Sequence, residues 1–138
     1  MLNSIIRCLV AAVLIVATLA QPAAAADERP SLDALIAQHA SANGVPVSLV
    51  RRVIMRESRY NSRAVSGGNY GLMQIRLGTA RALGYRGSAA GILDPATNMT
   101  YAVRYLAGAY RAAGGNESRA MALYQSGYYT SRHRRRSI

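Results

Sequence analysis

The sequence has no tryptophan, no phenylalanine and no lysine, and its one cysteine is Cys8. With a single thiol, no disulfide can form within the chain. Its two histidines, His39 and His133, lie far apart and are not joined by a cluster of Cys, Asp or Glu. No metal site is therefore expected, because a metal wants several converging ligands. No nucleophile elbow supports a Ser-His-Asp arrangement. No cofactor-binding motif stands out either, and none is expected. Acids are scarce: six, against 17 basic residues that are all arginine, for a formal net charge of +11. Such a balance favours an anionic partner. The chain carries no aromatic-plus-basic RNA-reading motif, so nucleic acid is not the expected partner.

The first residues have an order of their own. Arg7 precedes an apolar run from Cys8 to Ala20, Pro22 breaks it, and four alanines follow at 23–26 before Asp27. This is the order of a secretory signal peptide. The run falls short of the roughly 20 residues that cross a bilayer. Cleavage after Ala26 leaves 112 of the 138 residues, enough for one domain, and the charge drops to +10 with the loss of Arg7. A periplasmic or secreted location is expected, where cell-wall polymers and lipid headgroups are the abundant anions. The expected division is a signal peptide over 1–26, a folded domain over 27–131 and an arginine-rich tail over 132–138.

Within that domain the pattern is mainly helical. Ser31 can cap a first helix whose stripe is Leu32, Leu35, Ile36 and Ala40, stopped by Asn43-Gly44. Pro46 leads into a second helix, with Ser48 near its cap. Ser, Asn and Gly dominate 61–68 and read as a loop, followed by a turn or short helix at 71–75 and a short helix at 79–83 closed by Gly84. Residues 85–93 are glycine-rich and read as irregular. Asp94-Pro95 is a cap followed by proline in a first turn. The helix after it should bury Met99, Ala102, Val103, Leu106 and Tyr110 and end at Gly114-Gly115. A last helix runs from Asn116 through Tyr124 to Gly127.

The acids sort by position. Asp27 and Glu28 lie at the expected mature terminus, while Asp33, Asp94 and Glu117 open helices, where the dipole favours negative charge. Glu57 is the exception. It stands at the far end of the second helix, and on a wheel of about 100° per residue it falls between Val50 and Val53. Arg51, Arg52, Arg56 and Arg59 take the opposite arc. A carboxyl on the apolar side loses solvation, which favours its neutral form. A glutamic acid near its ordinary value is only about 0.2 per cent protonated at pH 7, and one raised to about 6 is about 10 per cent protonated. The alternative is a Glu57 that turns to solvent or pairs with Arg56 or Arg59. A lone acid suffices for glycoside cleavage if the substrate brings its own nucleophile; otherwise a second carboxylate is usual.

Several segments occur in the order of one family. Glu57-Ser58-Arg59-Tyr60-Asn61, Ala64-Val65-Ser66 and Tyr70-Gly71-Leu72-Met73-Gln74-Ile75 come first. Thr79-Ala80, Leu83-Gly84, Asp94-Pro95 with Asn98, Tyr105-Leu106 and Ala122-Leu123-Tyr124-Gln125-Ser126-Gly127 follow. Together they resemble the soluble lytic transglycosylase family of lysozyme-like, peptidoglycan-cleaving enzymes. The resemblance implies a mainly α, α+β lysozyme-like fold with a loop-rich middle around a cleft. It implies Glu57 as the acid and then the base that cuts the MurNAc-GlcNAc bond and leaves a 1,6-anhydromuramyl end. It further implies that Ser66, Met73, Gln74, Tyr124 and Gln125 bind substrate. The family's last motif reads Tyr-Asn where this chain has Tyr124-Gln125. Expected partners are peptidoglycan glycan strands, an anionic envelope surface met by the arginine tail, and a secretion or envelope assembly. A goose-type hydrolase and a non-catalytic wall-binding accessory are the competing readings.

Overall fold

A computed structural model describes residues 30–127. The expected signal peptide and arginine tail lie outside these residues. Five α-helices are described: α1 (Leu32–Asn43), α2 (Val47–Ser58), α3 (Leu77–Ala82), α4 (Pro95–Ala112) and α5 (Glu117–Gln125). Three two-residue strands, β1 (Val65–Ser66), β2 (Asn69–Tyr70) and β3 (Ile75–Arg76), form an antiparallel sheet in the order β1-β2-β3. Val65 pairs with Tyr70, and Asn69 with Arg76.

Helix ends follow local chemistry. Ser31 accepts from the Ala34 N–H at 3.2 Å, and α1 stops at Gly44 with φ +64°, a conformation that glycine adopts freely. Asp94 accepts from the Thr97 N–H at 2.9 Å, with Pro95 at the first helical position. Asn116 caps α5 through the Arg119 N–H at 2.8 Å. At α2 the outcome differs: Pro46 occupies the cap, and Ser48 instead donates to Glu117 Oε1 at 3.1 Å across to α5. The stretch 61–68, expected as plain loop, contributes β1 to the sheet, and 85–93 contains a 3-10 turn at Gly91–Leu93. Two-residue strands leave no alternating pattern to detect, which is why the sheet was hidden.

α4 is the central helix, with α1, α5 and the 3-10 turn packed against it. Met99, Ala102, Val103 and Leu106 are wholly buried along it, as the periodicity predicts, while Tyr110 is only half-buried. Leu49, Val50, Val53 and Ile54 bury the inner face of α2. Each such side chain contributes up to about 1.5–3 kcal/mol relative to exposure. That apolar packing fixes α2 and so fixes where Glu57 emerges.

Candidate active site

Glu57 lies one residue before the end of α2, half-buried at the edge of the apolar stripe rather than inside it. The chain leaves the helix through Arg59 (φ 51°) and Tyr60 (φ 65°), two successive non-glycine residues in the left-handed region. Such residues cost about 1 kcal/mol or more each and persist where the surroundings enforce them. The Arg59 N–H donates to the Met55 carbonyl at 3.2 Å and closes the helix. The Glu57 carboxylate makes no ion pair with a guanidinium of the described residues. Its partner is the Gln125 amide, whose Nε2–H donates to Oε1 at 3.2 Å. Oε2 is left for other work.

Across from Glu57 stands the turn 71–74. The Gly71 N–H donates to the Ala64 carbonyl at 2.7 Å, tying the turn to the residue before β1. Gln74 takes φ 50°, and its Nε2 donates to the carbonyls of both Ala64 and Gly71 at 3.0 Å. Behind the turn is Asn98 of α4, the one polar side chain in the buried set. Its Oδ1 accepts from the Met73 N–H at 3.0 Å, and its Nδ2 donates to the Tyr70 carbonyl at 2.8 Å and the Ile92 carbonyl at 3.0 Å. A buried amide with its groups paired is stabilising where an unpaired one is costly. The same amide explains Gly71, since a Cβ there would run into Asn98 Nδ2 and φ is +73°.

Tyr124 joins the two sides. Its hydroxyl donates to the Met73 carbonyl at 2.7 Å, and its ring meets that of Tyr105 edge-on, centroids 5.0 Å apart at 60°. Burial pushes the Tyr124 phenol well above its ordinary value, and the nearby negative charge of Glu57 adds to the effect. The phenol therefore keeps its proton and remains a donor.

These side chains surround a cleft of about 520 Å³. Glu57, Gln74, Tyr124 and Gln125 all line it, so four of the six expected site residues come together. The side chain of Met73 does not: it is wholly buried in the core, and only its backbone N–H and carbonyl serve the site. A flexible thioether in a helical core fills space well, which decided its placement. Ser66 is exposed on β1 and is not among the lining residues; its carbonyl accepts from Asn69 Nδ2 at 3.0 Å and closes the hairpin. The cleft also takes Asn69, Arg76, Thr79 and Tyr105; none of them had an expected site role, although Thr79 and Tyr105 lie in segments that carry the resemblance. A signal for Tyr105 was available, for it lies seven residues after Asn98 and so on the same face of α4. Asn69 and Arg76 gave none, because their pairing is a matter of register between very short strands.

A helical domain with a small antiparallel sheet walling a cleft over one carboxyl group has a lysozyme-like fold. The structure resembles a solved complex of the 70-kDa soluble lytic transglycosylase with bulgecin A, with a TM-score of 0.61 and 31% identity, over 66% of this chain and 16% of that one. The sequence is 37% identical over 99 residues to the peptidoglycan transglycosylase gp16 of Escherichia phage T7, which covers 69% of this chain and 8% of the phage protein. Residues 34–137 match the family model described as the Transglycosylase SLT domain. The chain belongs to that family. It spans only a small part of the length of both relatives.

Proposed function

We propose that this protein is a peptidoglycan lytic transglycosylase that cuts the β-1,4 bond between N-acetylmuramic acid and N-acetylglucosamine. The observation that carries the reading is Glu57, the only carboxylate among the described residues that line the cleft, unpaired with any described guanidinium and hydrogen-bonded to Gln125. With Oε1 held by the amide, Oε2 gives its proton to the glycosidic oxygen as the bond breaks. The resulting carboxylate takes the proton of the muramyl 6-hydroxyl, whose oxygen attacks the anomeric carbon and closes the 1,6-anhydro ring. Proton transfer in each direction by one group balances the reaction and leaves Glu57 as it began. Gln74 and Tyr124 then act by shaping the wall that faces the sugar. Tyr105 and Tyr124 supply aromatic surface in a chain without Trp or Phe.

The same reading covers the ends of the chain. Residues 1–26 export the protein to the cell-wall compartment, and the arginines at 132–136 add affinity for the anionic envelope. Mass spectrometry of fragments released from purified peptidoglycan is the test. Anhydro ends are expected, and Glu57→Gln should lower their release by at least about 10²-fold, within the range of a lost general acid–base group. The variant should keep its stability within about 0.5 kcal/mol. Reducing ends in place of anhydro ends would make the protein a hydrolase, and full activity in Glu57→Gln would remove the mechanism altogether.

A further inference from the structure

Among the described residues that line the cleft, one is a cation. Arg76 lies on β3 opposite Asn69, both residues line the cleft with Glu57, and the Arg76 side chain is exposed. It has no ion pair or side-chain hydrogen bond with any described residue. Three arginines away from the cleft are engaged, Arg51 with Asp33 at 3.0 Å, Arg52 with Glu117 at 3.1 Å and Arg104 with the Leu83 carbonyl at 3.1 Å, and what sets Arg76 apart is its place among the lining residues. An unengaged guanidinium on the wall of a concave site offers a planar fork suited to a carboxylate. The sugar rings of the glycan carry no charge of their own. What is anionic on such a strand is appended to the muramyl unit: the lactyl carboxylate where the peptide is absent, or carboxylates of the peptide where it is present.

We propose that Arg76 is a specificity-determining residue of this cleft, binding a carboxylate carried on the muramyl unit of the glycan. This rests on peptidoglycan as the substrate. It gives the site a means of distinguishing muramyl-containing strands from an uncharged polymer of the same backbone linkage.

Three probes separate the outcomes: peptidoglycan strands with intact peptides, the same strands stripped by an amidase, and an uncharged chito-oligosaccharide. Binding of each is titrated against the wild-type protein, Arg76→Ala and Arg76→Lys. Arg76→Ala should bind at least one charged strand about tenfold more weakly, the loss typical of a hydrogen-bonded charge. Binding of the chito-oligosaccharide should change less than about twofold, and Arg76→Lys should recover part of the loss because it keeps the charge without the fork. The strand on which the loss appears identifies the carboxylate, stripped strands pointing to the lactyl group and intact strands alone to the peptide. Equal binding of both charged strands by wild type and Arg76→Ala would overturn the assignment, as would an equal loss on the uncharged oligosaccharide. Wild-type binding without any anhydro product would end the proposed reaction while leaving the role of Arg76 in place.

Discussion

Two side-chain amides serve the same site from neighbouring helices, Asn98 of α4 from behind the turn at 71–74 and Gln125 of α5 from the cleft itself. Asn98 is fully buried and binds three backbone groups, so its amide is spent on tying Tyr70 and Met73 to the 3-10 turn at Ile92. Gln125 is exposed at the rim, and its amide bonds a single carboxylate oxygen of Glu57. The same functional group is structural in one place and available to chemistry in the other. Burial makes the difference, because a buried amide must satisfy every atom whereas a rim amide can exchange partners with water or substrate.

Asn98→Ala should have the largest effect on folding. It leaves the Met73 N–H and the Tyr70 and Ile92 carbonyls without their partner and opens a void, at a cost of about 3–5 kcal/mol. Urea unfolding that shows a stability loss of less than about 1 kcal/mol would break the contrast between the two amides. Gly71→Ala acts on the same junction from the other side. Its positive φ and the collision with Asn98 should together cost about 2–3 kcal/mol, measured in the same titration.

Tyr124→Phe removes the hydroxyl bond to Met73 and should cost about 1 kcal/mol. It also tests the sign of a pH effect. The folded protein holds the Tyr124 proton more tightly than the unfolded chain, in which tyrosine ionises near about 10. Above that pH the unfolded chain releases its proton first, so the contribution of Tyr124 is complete below about 10 and is lost as pH rises through the folded value. Thermal unfolding followed from pH 8 to 11 should show a shallower alkaline decline in Tyr124→Phe than in wild type. Gln125→Ala should have the smallest effect on folding, within about 0.5 kcal/mol of wild type. Its consequence should appear in turnover instead, with anhydro-product release about fivefold slower, which corresponds to about 1 kcal/mol of barrier. A Gln125→Ala protein as destabilised as Asn98→Ala would erase the distinction.

Much of this protein could be read along the chain. Ser31, Asp94 with Pro95, and Asn116 mark helix starts by local chemistry, and the apolar spacing of α2 and α4 names most of the buried faces. Glu57 stood apart because it is the one acid that neither opens a helix nor lies near the expected terminus. Beyond that, the motifs that carry the resemblance do not say where each side chain is placed. Met73 is in the lining motif by sequence and in the core by packing, and Ser66 is in the motif yet on the outer strand. Arg76 and Asn69 reached the cleft through strand register, Tyr105 through its turn of α4.

The order of residues determined the helices, their caps, the excess of arginine and the one acid out of place, since each depends on neighbours within a few positions. Only the folded chain decided which groups face one another: Gln125 with Glu57 across 68 positions, Tyr124 with Met73 across 51, and Asn98 behind Gly71. Those meetings are set by how α4 and α5 pack against a sheet too short to announce itself, and packing between distant segments leaves no periodic trace along a chain.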